Sequence, residues 1–157
     1  MKLTGALLLC LIAAPLLAKE RLGAYQGWAA FKDAEGPRCY AIGSPDESSG
    51  TCCYVSVGFW PKRGLSHQLS VKLSRIRSAD AGIRLSVGGR RFQLTAEGNT
   101  GRAKDRAMDL AIIAAIRNAG SLSVQSTGVN GGTITDAYAL RGAASAIDAA
   151  ALGCATK

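Results

Sequence analysis

Histidine is nearly absent from the 157-residue chain, in which His67 is the single imidazole. A zinc site would then need three or four cysteines as ligands, an unfavourable demand in an oxidising compartment, and no metal site is expected. Ser66 adjoins His67, but neighbouring residues of a strand point to opposite faces, so the two do not make a nucleophile and base pair. His67 is expected to be solvent-exposed or at a sheet edge, and a hydrolase would have to bring it to a distant acid and nucleophile. There is no Cys-x-x-Cys motif. None of Asn99, Asn118 and Asn130 has Ser or Thr two residues on, so no glycosylation acceptor exists. Gly88-Gly89 is not followed by a helical pattern, which excludes a phosphate loop, and no cofactor signature or nucleic-acid recognition motif is present. Aromatics make up 6% of the chain against 19 glycines, a balance that suits tight turns and strands better than a helical bundle.

Long apolar runs are also missing, except at the start. Lys2 is followed by an apolar stretch over 3–17, then Ala18 and the charged Lys19-Glu20-Arg21. That stretch is too short to span a bilayer stably. A small residue at its end is what a signal peptidase requires. Residues 1–18 therefore read as a signal peptide cut after Ala18, with a retained N-terminal anchor as the alternative. Cys10 follows Leu9, not a small residue, which rejects a lipoprotein. No later segment approaches about 18 apolar residues, so no stable membrane insertion is expected. Residues 19–157 form one domain, long enough to bury roughly two-thirds of its unfolded surface.

Within that domain, 28–31, 39–42 and 54–60 are short β-prone runs, and Pro61 ends the third because proline cannot donate to a ladder. The stretch 43–50 is rich in Gly, Ser, Pro and Asp and reads as a surface loop. Leu69, Val71 and Leu73 alternate with polar residues, as in a half-buried strand. Ile83, Leu85 and Val87, then Gly88-Gly89, then Phe92 and Leu94 make a hairpin. The two glycines supply the positive φ values of a type I′ turn, pairing Val87 with Arg90, Leu85 with Phe92 and Ile83 with Leu94. Arg84, Ser86, Arg91 and Gln93 take its other face. Over 105–118 the period becomes helical, with Asp105 as cap and Gly120 in the left-handed position after the end. Two strands, 121–126 and 133–140, and an alanine-rich helix over 143–152, stopping at Gly153, complete the chain. Six strands, helix, two strands, helix predicts a mainly antiparallel, sandwich-like β domain with two helices packed on it. Trp28 and Trp60 read as core.

Beyond Cys10, four cysteines remain: Cys39, Cys52, Cys53 and Cys154. An even count in an exported chain favours disulfides. Cys39 with Cys154 is the preferred bridge, since it would tie the chain's end to an early strand. Adjacent cysteines have Cα atoms about 3.8 Å apart, below the usual disulfide range. Cys52 and Cys53 are thus a redox-active vicinal pair, free thiols, or partners of a second bridge to Cys39.

The charge is uneven. The full chain carries +8, and the chain without residues 1–18 carries +7. All of that excess lies in 62–91, where eight Lys and Arg meet a single acid, Asp80. Lys72, Arg84 and Arg91 occupy the polar phase of their strands and should share one outward face. Such a face attracts anionic partners in a salt-dependent way: lipid headgroups, lipopolysaccharide, acidic glycan or a protein. Its bland counterpart is a solvated face that keeps the protein soluble. The acids Asp105, Asp109, Asp136 and Asp148 are scattered, with no paired-carboxylate pattern; Asp105 and Asp109 share a helical face as many solvated acids do.

Three segments of the second half carry a resemblance: Ala111-Ile112-Ile113-Ala114-Ala115-Ile116-Arg117, then Ser121-Leu122-Ser123-Val124, then Ala139-Leu140-Arg141-Gly142-Ala143-Ala144-Ser145-Ala146-Ile147. With Trp28 and Pro37-Arg38-Cys39-Tyr40, they resemble the invasion-associated locus B family of exported Gram-negative bacterial proteins. Ala143 stands where the family places an aromatic, and no cysteine lies between Cys53 and Cys154, so the family's bridge pattern does not carry over. The resemblance implies a non-enzymatic, β-rich periplasmic or secreted protein. The leading expectation is therefore an exported protein that binds an anionic envelope component or a protein partner through its basic face. A thiol-redox protein using Cys52 and Cys53 is the alternative.

Overall fold

The computed structural model describes residues 19–33, 38–45 and 52–155. The predicted leader with its cut after Ala18, and most of the predicted 43–50 loop, lie outside the described residues. The fold is mainly antiparallel β with two helices. The predicted elements are present as β2 (Trp28–Asp33), β3 (Arg38–Gly43), β4 (Tyr54–Trp60), β5 (Leu65–Lys72), β6 (Ile83–Val87), β7 (Arg90–Glu97), β9 (Ser121–Thr127) and β10 (Thr133–Ala139). The helices are α1 (Arg106–Asn118) and α2 (Ala143–Ala155). Two strands were not predicted: β1 (Glu20–Tyr25) and β8 (Thr100–Arg102). β1 is interrupted by a register shift between Arg21 and Gly23, which breaks its period. β8 has three residues, and its central Gly101 is needed because a Cβ there would sit 2.9 Å from Val71 and 3.0 Å from Leu94.

The strands form one sheet in the order β1-β2-β3-β4-β5-β8-β7-β6-β9-β10, with every pairing antiparallel. The sheet curls until its two ends approach each other. There Trp28 Nε1 donates to the carbonyl of Ala139 at 2.9 Å, and Gly142 abuts the Tyr25 carbonyl. Inward residues of alternate phase, among them Val55, Val57, Leu69, Val71, Ile83, Leu85, Val124 and Ile134, join Ile112, Ile116 and Ile147 of the helices in one core. The sheet's outer face is left without a covering layer among the described residues.

The hairpin has the expected register, with Val87 opposite Arg90, Leu85 opposite Phe92 and Ile83 opposite Leu94. Gly88 and Gly89 have φ of 56° and 75°. Asp105 caps α1 by accepting from Met108 N at 2.8 Å. The far end differs from expectation: α1 stops at Ala119 in extended backbone, so Gly120 takes no left-handed role, because the chain passes straight into β9. α2 also runs through Gly153 to Ala155. Glycine there gives room to Leu22, whose Cδ1 would lie 2.5 Å from a Cβ, and the extra turn delivers Cys154 to Cys39. Those two form a disulfide with Cα atoms 5.7 Å apart. Trp28 is core, 2% exposed. Trp60 is not: it lies half-buried on the outer face.

Candidate anion-binding face

Alternation decides which of the predicted cations reach solvent. In β6, Ile83, Leu85 and Val87 are buried, so Arg84 points outward; in β7, Phe92 and Leu94 are buried, so Arg91 and Gln93 point outward. Arg84 is opposite Gln93 and Ser86 opposite Arg91, which makes the two arginines diagonal neighbours, about 7–8 Å apart along the sheet. Ser86 and Ser123 pair across to β9, as do Arg84 and Gln125, so amide and hydroxyl groups surround the guanidinium groups. Beside Arg84 lies a polar depression of about 500 Å³, bounded by Gln93, Gln125, Thr127 and Thr133. No acid lines it, and neither arginine has an ion pair or hydrogen bond among the described residues. Gln125 and Thr133 were missed by sequence reading, although their alternation with buried Val124 and Ile134 was a usable signal.

Lys72 does not join this pair. It stands opposite Thr100, which stands opposite Glu97, six residues along β7 from Arg91. That is a separation of roughly 20 Å at about 3.3 Å per residue. All three share the outward face, as expected, but the lysine is distant from the two arginines. Arg75, Arg77 and Arg90 of the basic segment are engaged in structure. Arg77 donates to the carbonyls of Ser78 and Ala79 at 2.9 Å and of Ala81 at 2.6 Å, and Arg75 to that of Thr133 at 2.6 Å. Arg90 lies over the Phe92 ring, 4.9 Å from its centroid.

The four scattered acids have structural partners as well. Asp105 is the cap. Asp136 is buried and accepts from Ser74 N at 3.0 Å. Asp148 takes both Arg117 nitrogens at 3.2 and 2.5 Å, clasping α2 to α1, and that pairing holds its carboxyl below the usual range. Asp109, expected to be solvated, is 7% exposed and accepts the N–H of Leu69 at 2.8 Å. Leu69 is one residue beyond Ser70, whose pairing with Arg102 is the last rung between β5 and β8, so the carboxylate serves a backbone donor at the end of a ladder.

Burial raises the Asp109 pKa, and the Leu69 bond opposes the shift less strongly. An acid with a raised folded-state pKa binds protons more tightly folded than unfolded, so its protonation favours folding. That contribution is complete below the unfolded value of about 3.9 and is lost as pH rises through the folded one. Asp109→Asn keeps an acceptor without the charge and should match or exceed the parent's stability at neutral pH. Asp109→Ala leaves Leu69 N–H unpaired and should cost about 1–3 kcal/mol. Urea denaturation at pH 7 compares the three.

His67 precedes the last β5–β8 rung and so lies at a sheet edge, as expected. It is half-buried, with φ at 59° and its ring edge-on to Phe59 at 4.8 Å between centroids. Nδ1 is buried without a partner among the described residues. Burial, then the charges of Arg117 and Arg106, lower its pKa despite Asp148. It makes no hydrogen bond to Ser66 or to any acid, so the described residues assemble no nucleophile and base pair around it. Cys52 and Cys53 bond to each other, Cys53 buried and Cys52 exposed. Cys39 is therefore engaged with Cys154 and does not bridge to either. Among the described residues no group of three or more His, Cys, Asp or Glu could hold a metal ion, and no helix is long and apolar enough to cross a membrane. No family model, curated protein or solved structure matches the chain.

Proposed function

We propose that the chain is an exported, non-enzymatic protein of a Gram-negative envelope that binds an anionic envelope component through the outer face of its curled sheet. The observation that carries this reading is the Arg84 and Arg91 pair, diagonal on an uncovered sheet and set among Gln93, Gln125, Ser86 and Ser123 with no acid. A guanidinium is charged at every physiological pH and presents a planar fork of donors that fits carboxylate and phosphate. Neighbouring amides and hydroxyls can bond the rest of a polar ligand. The leader-like residues 1–18 and the resemblance to the invasion-associated locus B family support export and a binding role in the periplasm or outside the cell.

Reversing both charges, Arg84→Glu with Arg91→Glu, should abolish retention on anionic phospholipid vesicles at about 0.15 M salt. Both side chains are exposed, so stability should change by no more than about 0.5 kcal/mol. Equal retention of variant and parent would refute the reading. The alternative, a thiol-redox role, is favoured by the bonded Cys52 and Cys53 with Cys52 exposed. It requires that a dithiol reductant open this pair while Cys39 and Cys154 stay joined.

A further inference from the structure

The opposite end of the same outer face has a different chemistry. Strand period places Tyr54, Ser56, Gly58 and Trp60 outward on β4, because Val55, Val57 and Phe59 are buried. Tyr40 and Ile42 point outward on β3 by the same alternation. Gly58 is opposite Tyr40, and the Trp60 indole lies down over it in the space a side chain would fill, with Cζ3 2.5 Å from the position of a Cβ. The missing side chain thus lets a tryptophan lie flat on the sheet beside a tyrosine. The result is a groove of about 280 Å³ with aromatic walls and Ser56 and Ser70 on its floor, near the lower end of ligand-pocket sizes at roughly 300 Å³.

Its charge is positive. Arg38 stacks over Tyr40 at 4.7 Å and is matched by Asp33 at 2.6 Å. Lys19, 6.0 Å from the Tyr40 centroid, and Arg102 have no acid partner among the described residues. Arg102 stands at the end of the cross-strand row Ile42, Ser56, Ser70, Arg102, so a group lying along that row would reach its guanidinium. Cleavage after Ala18 would add an α-ammonium group at the Lys19 rim.

We infer that this groove is a second binding site, separate from the Arg84 and Arg91 pair, and that it takes a negatively charged sugar unit. A pyranose ring has a C–H face that packs on an aromatic ring and edges of hydroxyls that need donors and acceptors. Trp60 supplies the first, Ser56 and Ser70 the second, and Arg102 and Lys19 neutralise a carboxylate or phosphate on the sugar. A fully apolar ligand would leave those cations and hydroxyls desolvated and unpaired, at a cost. A bare anion would leave the aromatic walls unused.

Titration with a short oligogalacturonate, followed by tryptophan fluorescence, tests this. Of the two tryptophans, Trp28 is buried and bonded to Ala139, so a response reports Trp60. Oligogalacturonate should quench or shift the emission, its neutral methyl ester should bind at least about tenfold more weakly, and phosphate should give no response. Trp60→Ala and Arg102→Ala should each weaken binding about tenfold or more, measured by calorimetry. Trp60→Phe replaces Trp60→Ala should the latter not fold. Arg84→Glu with Arg91→Glu should leave this affinity within about twofold. No response to either saccharide, equal affinity for acid and ester, or an equal response to phosphate overturns the inference. Loss of binding only in the Arg84 and Arg91 variant also overturns it, while leaving the proposed function standing.

Discussion

Gly142→Ala should cost on the order of 4 kcal/mol and lower the melting temperature by roughly 10–15 °C. Gly142 has φ of +87°, and a Cβ there would collide with the Tyr25 carbonyl oxygen and lie 2.7 Å from its carbon. The left-handed backbone alone penalises an L side chain by about 1–2 kcal/mol. The collision adds more, because its partner is backbone in β1 and cannot rotate away. The site lies at the seam where the two ends of the sheet approach, one residue before α2 begins and three after Ala139, the acceptor for Trp28. Gly131→Ala is the control: φ is +79° but nothing lies within 4 Å of the added atom, so only the backbone penalty applies. Thermal unfolding of the three proteins separates the contributions. Equal losses in both variants would mean that the seam does not constrain the fold.

Removing the Cys39 and Cys154 bridge by replacing both with alanine should destabilise the chain by about 5 kcal/mol on the chain-entropy estimate for a loop of this length. The two residues are 115 apart in sequence, so the bridge confines most of the unfolded domain. The Cys52 and Cys53 pair encloses no intervening residue and confines almost nothing, so Cys52→Ala with Cys53→Ala should leave the urea midpoint nearly unchanged. A dithiol reductant should then lower the parent's midpoint and have little effect on the Cys39 and Cys154 variant. A similar loss from both double variants would show that loop closure is not the source of the stabilisation.

The elements legible in the sequence are those whose signal is local. The period-2 runs on either side of Gly88-Gly89 define their own register, and Asp105 before a helical pattern marks a cap. Cys39 with Cys154 is the preferred bridge because it ties the chain's end to an early strand, whereas Cα spacing argues against the adjacent Cys52 and Cys53 bond that the structure contains. What escaped depends on tertiary neighbours. β8 is too short to show a period, and its Gly101 has meaning only between Val71 and Leu94. Asp109 looked solvated because its partner is a backbone N–H forty residues earlier. The basic run 62–91 promised one broad cationic face, but Arg75 and Arg77 serve carbonyls that the linear sequence does not reveal as needing donors. The groove beside Trp60 was within reach: Tyr54, Ser56, Gly58 and Trp60 share one phase of a clearly alternating strand, and reading Trp60 as core overlooked that phase.

In the proposed function, the uncovered face of the sheet recognises negative charge through Arg84 and Arg91. Its most direct test is the salt concentration that releases the parent and the Arg84→Glu, Arg91→Glu variant from immobilised anionic phospholipid, a ligand without the sugar ring that the Trp60 groove requires. The parent should be retained at low salt and released as the ions screen the interaction, with a Debye length of about 10 Å at 0.1 M; the variant should pass through unretained even at low salt. Release of both proteins at the same salt concentration would contradict it.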